Sequence, residues 1–485
     1  MILSHYRAGT GAVLLETREE SRAVRQIVAE LPADAQVCRL AAPGGPIVDV
    51  RTGLPEQGKA GLLAGYEWAA SGPGRVLCVF DYHVLCNAPG HWRALADPLP
   101  ALRSPKGGGP EGPASLVVFI GPQWDIQTQN PLRGLLPVLT LPAPDRDTLR
   151  QVAEALRPLN GAAEAVVDAL CGLSTDAAEQ AAAEVLARPG GVWDVDGLRD
   201  ARRQALREAG LELWPAVSEM GGLAGFRAVV DGEVVPWVRD EQLSVRRILC
   251  AGVPGVGKSY GARWLAGRLG CECARLSIPA LKGGLVGQSE GNLKRALRTL
   301  DALGQHAPIV CVMDEIDGIA SEGLDGGTSS GMFSELLTWL QESRSQCVVL
   351  ATLNRLDKLN AALESRFQAR FWFDLPSPAE RLAVAAIHYR RLHCARPDDA
   401  AAWTVEHTVE FSSREIAEHV CPSVARLTQR TPDAATVKKV CTGYTPASRT
   451  QTEQLNKMRS AAGSLRRAND PETVAAKPSG RRVAS

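Results

Sequence analysis

The sequence has no excess of charge of either sign, because 54 lysines and arginines balance 54 aspartates and glutamates. It also contains no apolar run of the roughly 18 residues that a membrane-spanning helix needs, and its start lacks the basic and then apolar pattern of a secretory signal. The 12 cysteines are scattered, and the close pair Cys271 and Cys273 has no matching second pair. These absences argue against nucleic-acid binding through bulk charge, a membrane span and a zinc site. We therefore expect a cytoplasmic protein with free thiols.

What the sequence does contain is a glycine-rich turn between an apolar strand and a helix, in the segment ILCAGVPGVGKSY at 248–260. Glycines let backbone N–H groups wrap around a phosphate, and the amino terminus of the following helix adds a favourable dipole. Lys258 can reach the β- and γ-phosphates of a nucleotide, and the Ser259 hydroxyl can bind Mg²⁺. The predicted nucleotide contacts in this loop are Gly252, Pro254, Gly255, Val256, Gly257, Lys258, Ser259 and Tyr260.

A second apolar segment, IVCVMDE at 309–315, ends in two carboxylates. An acidic pair at this distance behind a phosphate loop is typical of nucleotide hydrolysis. We expect Asp314 to bind Mg²⁺ together with Ser259, and Glu315 to accept a proton from the attacking water. These two positions predict an ATPase rather than a protein that only binds nucleotide.

A third apolar segment, CVVLATLNR at 347–355, again ends in polar residues. Asn354, or alternatively Thr352, would contact the γ-phosphate from this neighbouring strand. Farther along the chain, Arg366 is a candidate for a positive charge that is offered to the phosphates in the site of a neighbouring subunit. The predicted catalytic residues are therefore Glu315, Asn354 and Arg366.

Residues 215–445 resemble an AAA+ ATPase module, because the motifs of that family occur in the expected order. These motifs are GGLAGF, GVPGVGKS, LVGQSEGNLKRAL, VMDEIDGIA, ATLNR, SRF and LPSPAER. More narrowly, the chain resembles an AAA family first met as a hypothetical open reading frame of algal plastids and cyanobacteria. The segments that carry this narrower resemblance are DYH at 81–83, GLSTDAAEQA at 172–181, LLTWLQE at 336–342 and YTPASRTQTEQLNKMR at 444–459.

The resemblance implies a homo-oligomer, a ring such as a hexamer, in which Arg366 acts on the site of the next subunit. It also places Arg414 at the nucleotide, and Leu285 with Val286 in the loop with which AAA+ unfoldases grip a substrate chain. Leu285 stands where an aromatic residue would grip more firmly. The segment before Arg366 is shortened to ALESRF. A further upstream arginine is therefore missing, and Arg370 is left as an open substitute.

The spacing of landmarks predicts an internal repeat. The first strand of each half precedes an aspartate, Asp81 or Asp314, by 64 and 63 residues respectively. Gly121 follows Asp81 by 40 residues, just as Asn354 follows Asp314, and the segments LPAP and LPSP stand 60 and 61 residues beyond the two aspartates. FSSREIAEHV has a counterpart in LSTDAAEQAA. We infer two copies of one α/β fold, each with helices appended.

The first copy lacks the residues that the chemistry needs. After its first strand it reads TREESRAVRQ, without a glycine or a glycine–lysine pair. Glu16, Glu19 and Glu20 would repel a phosphate, so we predict that this copy has lost nucleotide binding. Asp81 is then a structural residue or a docking residue, and metal binding by Asp81 and His83 is the less favoured alternative.

The predicted fold is α/β, with tandem P-loop NTPase folds of the AAA+ type, each a parallel sheet with a helical lid, and the first degenerate. The predicted domains are a degenerate α/β domain at 1–144, a helical lid or connector at 145–213, an active ATPase domain at 214–374, a helical lid at 375–470 and a disordered basic tail at 471–485.

Three functions are consistent with this organisation. The preferred one is ATP-driven remodelling of a protein partner that the degenerate first domain recognises. A slow ATP-dependent switch or scaffold is the second. A nucleic-acid-associated ATPase, which would use the basic tail for phosphate contacts, ranks third because the chain has no recognised nucleic-acid module and no net charge.

Overall fold

The computed structural model describes residues 1–17, 19–85, 93, 95–97, 99–103, 115–122, 134–281, 288–316, 328–356 and 361–470. The chain divides into two compact units. The first contains Met1–Pro144 and Ser174–Gln180, and the second contains Asp145–Leu173 and Ala181–Ser485. None of the described helices is both long enough and apolar enough to cross a membrane.

The first unit is built on one seven-stranded sheet. Its strands are β1 (Gly11–Glu16), β2 (Gln36–Leu40), β3 (Pro46–Asp49), β4 (Pro55–Ala60), β5 (Arg75–Phe80), β6 (Leu116–Gly121) and β7 (Val138–Thr140). They lie in the order β4-β3-β2-β5-β6-β1-β7. Neighbours from β2 to β7 in this order are parallel, while β3 and β4 are added antiparallel at one edge. The helices described here are α1 (Ile2–Arg7), α2 (Glu20–Glu30), α3 (Leu62–Ala70), α4 (Tyr82–Leu85) and α5 (Leu99–Arg103).

The central strands of this sheet are apolar on both faces. In β1, Leu14 packs into one buried cluster with Phe119, whereas Val13 and Leu15 pack into a second cluster with Val118. Successive side chains of a strand point to opposite faces, so two clusters from one strand mean that both faces are covered. This explains why the strands read as continuous apolar runs rather than as alternating patterns.

The second unit contains a second seven-stranded sheet. Its strands are β8 (Leu211–Trp214), β9 (Arg247–Gly252), β10 (Glu272–Leu276), β11 (Ile309–Met313), β12 (Cys347–Leu353), β13 (Ala369–Phe373) and β14 (Arg466–Arg467). They lie in the order β14-β13-β9-β12-β11-β10-β8, and all neighbours are parallel except β8 and β10. The five strands from β9 to β13 therefore follow the same order as β1, β2, β5, β6 and β7 of the first sheet.

Helices flank the second sheet and form a separate cluster beyond it. Before β9, the chain forms α6 (Arg146–Leu156), α7 (Ala163–Leu170), α8 (Thr175–Leu186), α9 (Val195–Glu208) and α10 (Ala224–Val229). Between β9 and β13 it forms α11 (Lys258–Leu269), α12 (Ile278–Leu281), α13 (Gln288–His306), α14 (Thr328–Glu342) and α15 (Ala361–Glu364). After β13 it forms α16 (Pro378–Arg391), α17 (Pro397–His407), α18 (Cys421–Leu427), α19 (Ala434–Thr442), α20 (Ala447–Thr450) and α21 (Thr452–Ala461).

Two edge strands lie where the sequence predicted helical segments. Strand β8 ends the predicted connector and pairs antiparallel with β10, and strand β14 comes from the predicted lid and pairs with β13. The residues after β14 stay on the same unit, since the N–H of Phe226 donates to the carbonyl of Ala468 at 3.0 Å. Both ends of the second sheet are therefore closed by segments far away in sequence. The helices after β13 have a core of their own, which includes Tyr389, Phe411 and Ile416.

Candidate functional site

The glycine-rich turn lies between the carboxyl end of β9 and the first turn of α11, at the centre of the parallel strands. A side chain at Gly252 would clash with the backbone, because a Cβ there would lie 2.1 Å from the carbonyl oxygen of Phe373. Gly257 caps α11 with a φ of 100°, a left-handed conformation that favours glycine. The turn thus brings backbone N–H groups and the helix amino terminus to the edge of the sheet where a phosphate can bind.

Lys258 is buried, with only 7 % of its surface exposed, at the start of α11. Its Nζ donates hydrogen bonds to the carbonyls of Gly252 at 2.7 Å and Val253 at 3.0 Å, and to Oδ1 of Asn354 at 2.8 Å. A buried ammonium group requires such partners, because removing the charge from water is costly. The contact with Asn354 connects the loop after β9 to the end of the neighbouring strand β12.

Ser259 and Asp314 lie close enough to bind one cation. The Ser259 hydroxyl donates to Oδ1 of Asp314 at 2.7 Å, and the Thr352 hydroxyl contacts the same oxygen at 3.2 Å. Hydroxyl and carboxylate oxygens are the ligands that Mg²⁺ prefers, and Mg²⁺ usually takes only one or two of them from the protein. The residue pair predicted for Mg²⁺ from the sequence therefore lies together and has suitable chemistry.

Glu315 and Asn354 meet at the same edge of the sheet. Asn354 Nδ2 donates to Oε1 of Glu315 at 3.2 Å, and the Glu315 N–H donates to the Thr352 hydroxyl at 3.0 Å. Glu315 has a φ of 54°, an uncommon conformation for a residue other than glycine. Thr352 thus has a structural role, since it fixes the backbone of the acidic pair. Asn354 bridges the carboxylate of Glu315 and the ammonium of Lys258.

A cavity of about 600 Å³ opens beside these groups. The predicted residues that line it are Pro254, Gly255, Val256, Gly257, Lys258, Ser259, Tyr260, Asp314, Glu315, Asn354 and Arg414. Gly252 does not line the cavity, because its carbonyl faces Lys258 instead. Arg414 also supports the loop, since its N–H donates to the carbonyl of Gly255 at 2.8 Å. The volume is in the range typical of small-molecule and cofactor sites.

One wall of the cavity was not predicted residue by residue. It is mainly apolar and consists of Met220, Gly221, Leu223, Val384, Ile387 and His388. Burial, together with the nearby charge of Arg391, lowers the pKa of His388, so its imidazole is neutral at pH 7. The signal available in the sequence was the motif GGLAGF, whose residues approach α16 only in the folded chain. This wall suits a planar, apolar ring.

Tyr260 connects three segments around the cavity. Its hydroxyl donates to the carbonyl of Glu219 at 2.9 Å and accepts from Nη2 of Arg391 at 2.9 Å. Arg391 lies at the end of α16, so Tyr260 joins the helix after the phosphate loop to the helices beyond β13. The predicted nucleotide contact by Tyr260 stays a prediction.

The remaining predicted residues lie elsewhere. Arg366 does not line the cavity of its own chain, and its Nη1 donates to the hydroxyl of Ser365 at 3.3 Å. Arg370, the open substitute, forms an ion pair with Glu364. Leu285 and Val286, the predicted pore-loop residues, lie outside the described residues.

The corresponding edge of the first sheet contains acidic residues in place of a phosphate loop. Glu19 is buried, and it forms an ion pair of 3.0 Å with Arg22, which is also buried. Its Oε1 accepts hydrogen bonds from the N–H and the hydroxyl of Thr175. Burial, followed by the charge of Asp81, raises the pKa of Glu20. Asp81 itself is exposed and has a φ of 54°, the same value as Glu315.

Comparison with known proteins gives matches to one family. Residues 248–375 match the model of the ATPase family associated with various cellular activities (AAA). The chain is 29 % identical over 238 residues to the uncharacterized AAA domain-containing protein ycf46 of Pyropia yezoensis, and the match covers 47 % of each chain. It is 24 % identical over 334 residues to the protein of the same name from Trieres chinensis, which covers 63 % of this chain and 65 % of the relative. Each match thus spans less than two thirds of the relative's length.

Among solved structures, the FIGL-1 AAA domain in complex with ADP is similar at 20 % identity with a TM-score of 0.45. This similarity covers 54 % of the present chain and 96 % of the FIGL-1 chain. The FIGL-1 AAA domain also occurs in a second structure, with 18 % identity and a TM-score of 0.44.

Proposed function

On the premise that residues 248–375 form an AAA domain, we propose that this protein binds and hydrolyses Mg-ATP and that hydrolysis drives a conformational change in a protein partner. One observation supports the ATPase part most directly. Five side chains from three adjacent segments, Lys258, Ser259, Asp314, Glu315 and Asn354, are joined by contacts of 2.7–3.2 Å at one cavity.

Each of these side chains has a distinct role in the proposed reaction. Lys258 exchanges its carbonyl partners for the β- and γ-phosphates when the nucleotide binds. Ser259 and Asp314 would bind Mg²⁺, which neutralises the charge that develops on the phosphates. Glu315 accepts a proton from the attacking water, and Asn354 orients Glu315 through its amide.

The substitution Glu315→Gln tests this assignment. It removes the base but keeps a side chain of the same size, so ATP binding should persist while hydrolysis slows by roughly a hundredfold or more. Glu154→Gln is the matched control, because Glu154 is exposed on α6 and does not line the cavity. Calorimetric titration would measure binding, and phosphate release would measure turnover. Wild-type turnover in the Glu315→Gln protein would contradict the assignment.

We also propose that the first unit is a copy of the same fold that has lost its nucleotide. Its five parallel strands follow the same order as those of the second sheet. In the second unit, the loop after β9 accepts the N–H of Arg414. In the first, the loop after β1 contacts Thr175 through Glu19. Asp176 therefore takes the place of Arg414 in the matching segments, and a carboxylate there disfavours phosphate.

The number of bound nucleotides tests this second part. The full chain should bind one ATP, and Lys258→Ala should bind none, because all binding is assigned to the second unit. Two ATP molecules per wild-type chain, or one that survives in Lys258→Ala, would assign a site to the first unit. In our proposal the first unit instead recognises the protein partner, and the Glu315→Gln protein held in ATP is the form in which to isolate that partner.

The proposed assembly is a homo-oligomeric ring. Its support is the position of Arg366, which lies outside the cavity of its own chain and is therefore available to a neighbouring one. Shared sites of this kind would make hydrolysis depend on subunit contacts. The number of subunits in the ring is a matter for direct measurement of mass in the presence of ATP.

A further inference from the structure

Arg275 contacts the carboxylate that is proposed to bind Mg²⁺. It lies on β10, and its Nε is 3.2 Å from Oδ2 of Asp314. The rest of its guanidinium group faces the edge strand β8. Nη1 lies 3.7 Å from Oε2 of Glu212, and Cζ lies 5.2 Å from the ring centre of Trp214. Arg275 and Trp214 both line the cavity.

All sides of the Asp314 carboxylate are thereby occupied. Oδ1 accepts the hydroxyls of Ser259 and Thr352, and Oδ2 faces the guanidinium of Arg275. A second cation placed at this carboxylate would repel Arg275, because like charges only a few ångströms apart interact strongly in a partly buried site. The side chain of Asp314 is only 19 % exposed, so water screens this repulsion incompletely.

We propose that Arg275 is a positioning residue that competes with Mg²⁺ for Asp314. Without the metal, Arg275 holds Asp314. When Mg-ATP binds, Arg275 moves away from Asp314 and toward Glu212 and Trp214, which already contact it. Strand β8 then responds to the state of the site. This inference rests on the proposed binding of Mg-ATP, and it adds a residue that the motifs of the sequence did not indicate.

The first test is the Mg²⁺ requirement of ATP binding, measured at fixed ATP and increasing Mg²⁺. Arg275→Ala should reach half-saturation at a Mg²⁺ concentration lower by roughly two- to fivefold, since a partly exposed ion pair contributes about that factor. Arg275→Lys should lie between Arg275→Ala and the wild type, because it keeps the charge but loses the planar group.

Arg268→Ala is the matched control for loss of an arginine. Arg268 forms an ion pair of 2.9 Å with Asp231 and lies 5.9 Å from the ring centre of Trp264, but it does not line the cavity. Its Mg²⁺ midpoint should equal that of the wild type. If Arg275 only supports β8, Arg275→Ala would lower the melting temperature and leave the Mg²⁺ midpoint unchanged, and that result would overturn the proposal.

The second test is a fluorescence change that reports the movement. Addition of Mg-ATP should change the tryptophan emission of the wild type, and Trp214→Phe should lose most of this change. Trp237→Phe is the control, because Trp237 is 44 % exposed and lies outside the cavity. An undiminished change in Trp214→Phe would contradict the movement toward β8. Failure of the wild type to bind ATP would refute the proposed function, whereas normal binding with an unchanged midpoint in Arg275→Ala refutes this inference alone.

Discussion

The carboxylate of Glu19 accepts hydrogen bonds from both the N–H and the hydroxyl of Thr175, 156 residues farther along the chain. All of the groups involved are buried, and Arg22 balances the charge of Glu19. In the first unit, a side chain therefore holds the start of α8 against the loop after β1. The second unit uses a backbone contact between Gly255 and Arg414 at the matching place.

Glu19→Ala should destabilise the first unit by about 1–3 kcal/mol, because it leaves two donors of Thr175 and the charge of Arg22 without their acceptor. Glu67→Ala, at an exposed position of α3, should have little effect. Hydrogen exchange of the full chain would show the loss as faster exchange at residues 175–180. Equal protection in both variants would mean that Glu19 does not hold this helix.

Glu20→Gln should stabilise the protein near neutral pH. Burial and the charge of Asp81 raise the pKa of Glu20, so the folded state binds its proton more tightly than the unfolded state does. That contribution is fully present below the unfolded pKa and is lost as the pH rises through the folded pKa. The gain from Glu20→Gln should therefore be seen at pH 7 and disappear in acid. Thermal unfolding at both pH values would measure it, with Glu67→Gln as the exposed control.

Gly252→Ala should disrupt the second unit by about 2 kcal/mol or more, because the added Cβ would overlap the carbonyl of Phe373 and the φ of 151° strains a side chain. Gly232→Ala is the control, since no atom lies within 4 Å of a Cβ built at Gly232. Chemical denaturation would compare the two variants. A stability of Gly252→Ala equal to that of Gly232→Ala would show that the end of β9 can shift freely.

Asn354→Asp should slow hydrolysis by roughly tenfold or more while ATP still binds, because a second carboxylate would replace the amide that donates to Glu315 at 3.2 Å. The contact with Lys258 can persist, since an oxygen stays in place. Asn456→Asp, at an exposed position of α21, should behave as the wild type. Phosphate release and titration calorimetry would separate turnover from binding, and a loss of both would point to a role in binding instead.

Arg366→Ala subunits mixed with Lys258→Ala subunits should recover part of the ATPase activity, because some interfaces then contain an intact Lys258 and an intact Arg366. Either variant alone should be inactive. The same mixture made with Arg370→Ala tests the alternative arginine, whose ion pair with Glu364 already occupies it. Absence of rescue, together with a monomeric mass in ATP, would count against a shared site.

The sequence alone determined the local parts of the second unit. The strand ending at Gly252, the turn and the helix from Lys258 follow from an apolar run, closely spaced glycines and a helical pattern, all within a few residues of each other. The polar residues after β11 and β12 could be assigned to the same edge, because parallel strands align their carboxyl ends. Short-range chemistry of this kind is readable in the order of the residues.

Only the tertiary structure decided which distant segments complete these parts. The pairing of β8 with β10 brings Trp214 to Arg275, and the return of the chain after α21 pairs β14 with β13. The contact of Arg275 with Asp314 joins residues on two different strands, and that of Glu19 with Thr175 joins a loop to a distant helix. Such contacts depend on how buried surfaces and charges are satisfied across the whole fold. Residue spacing along the chain does not specify them.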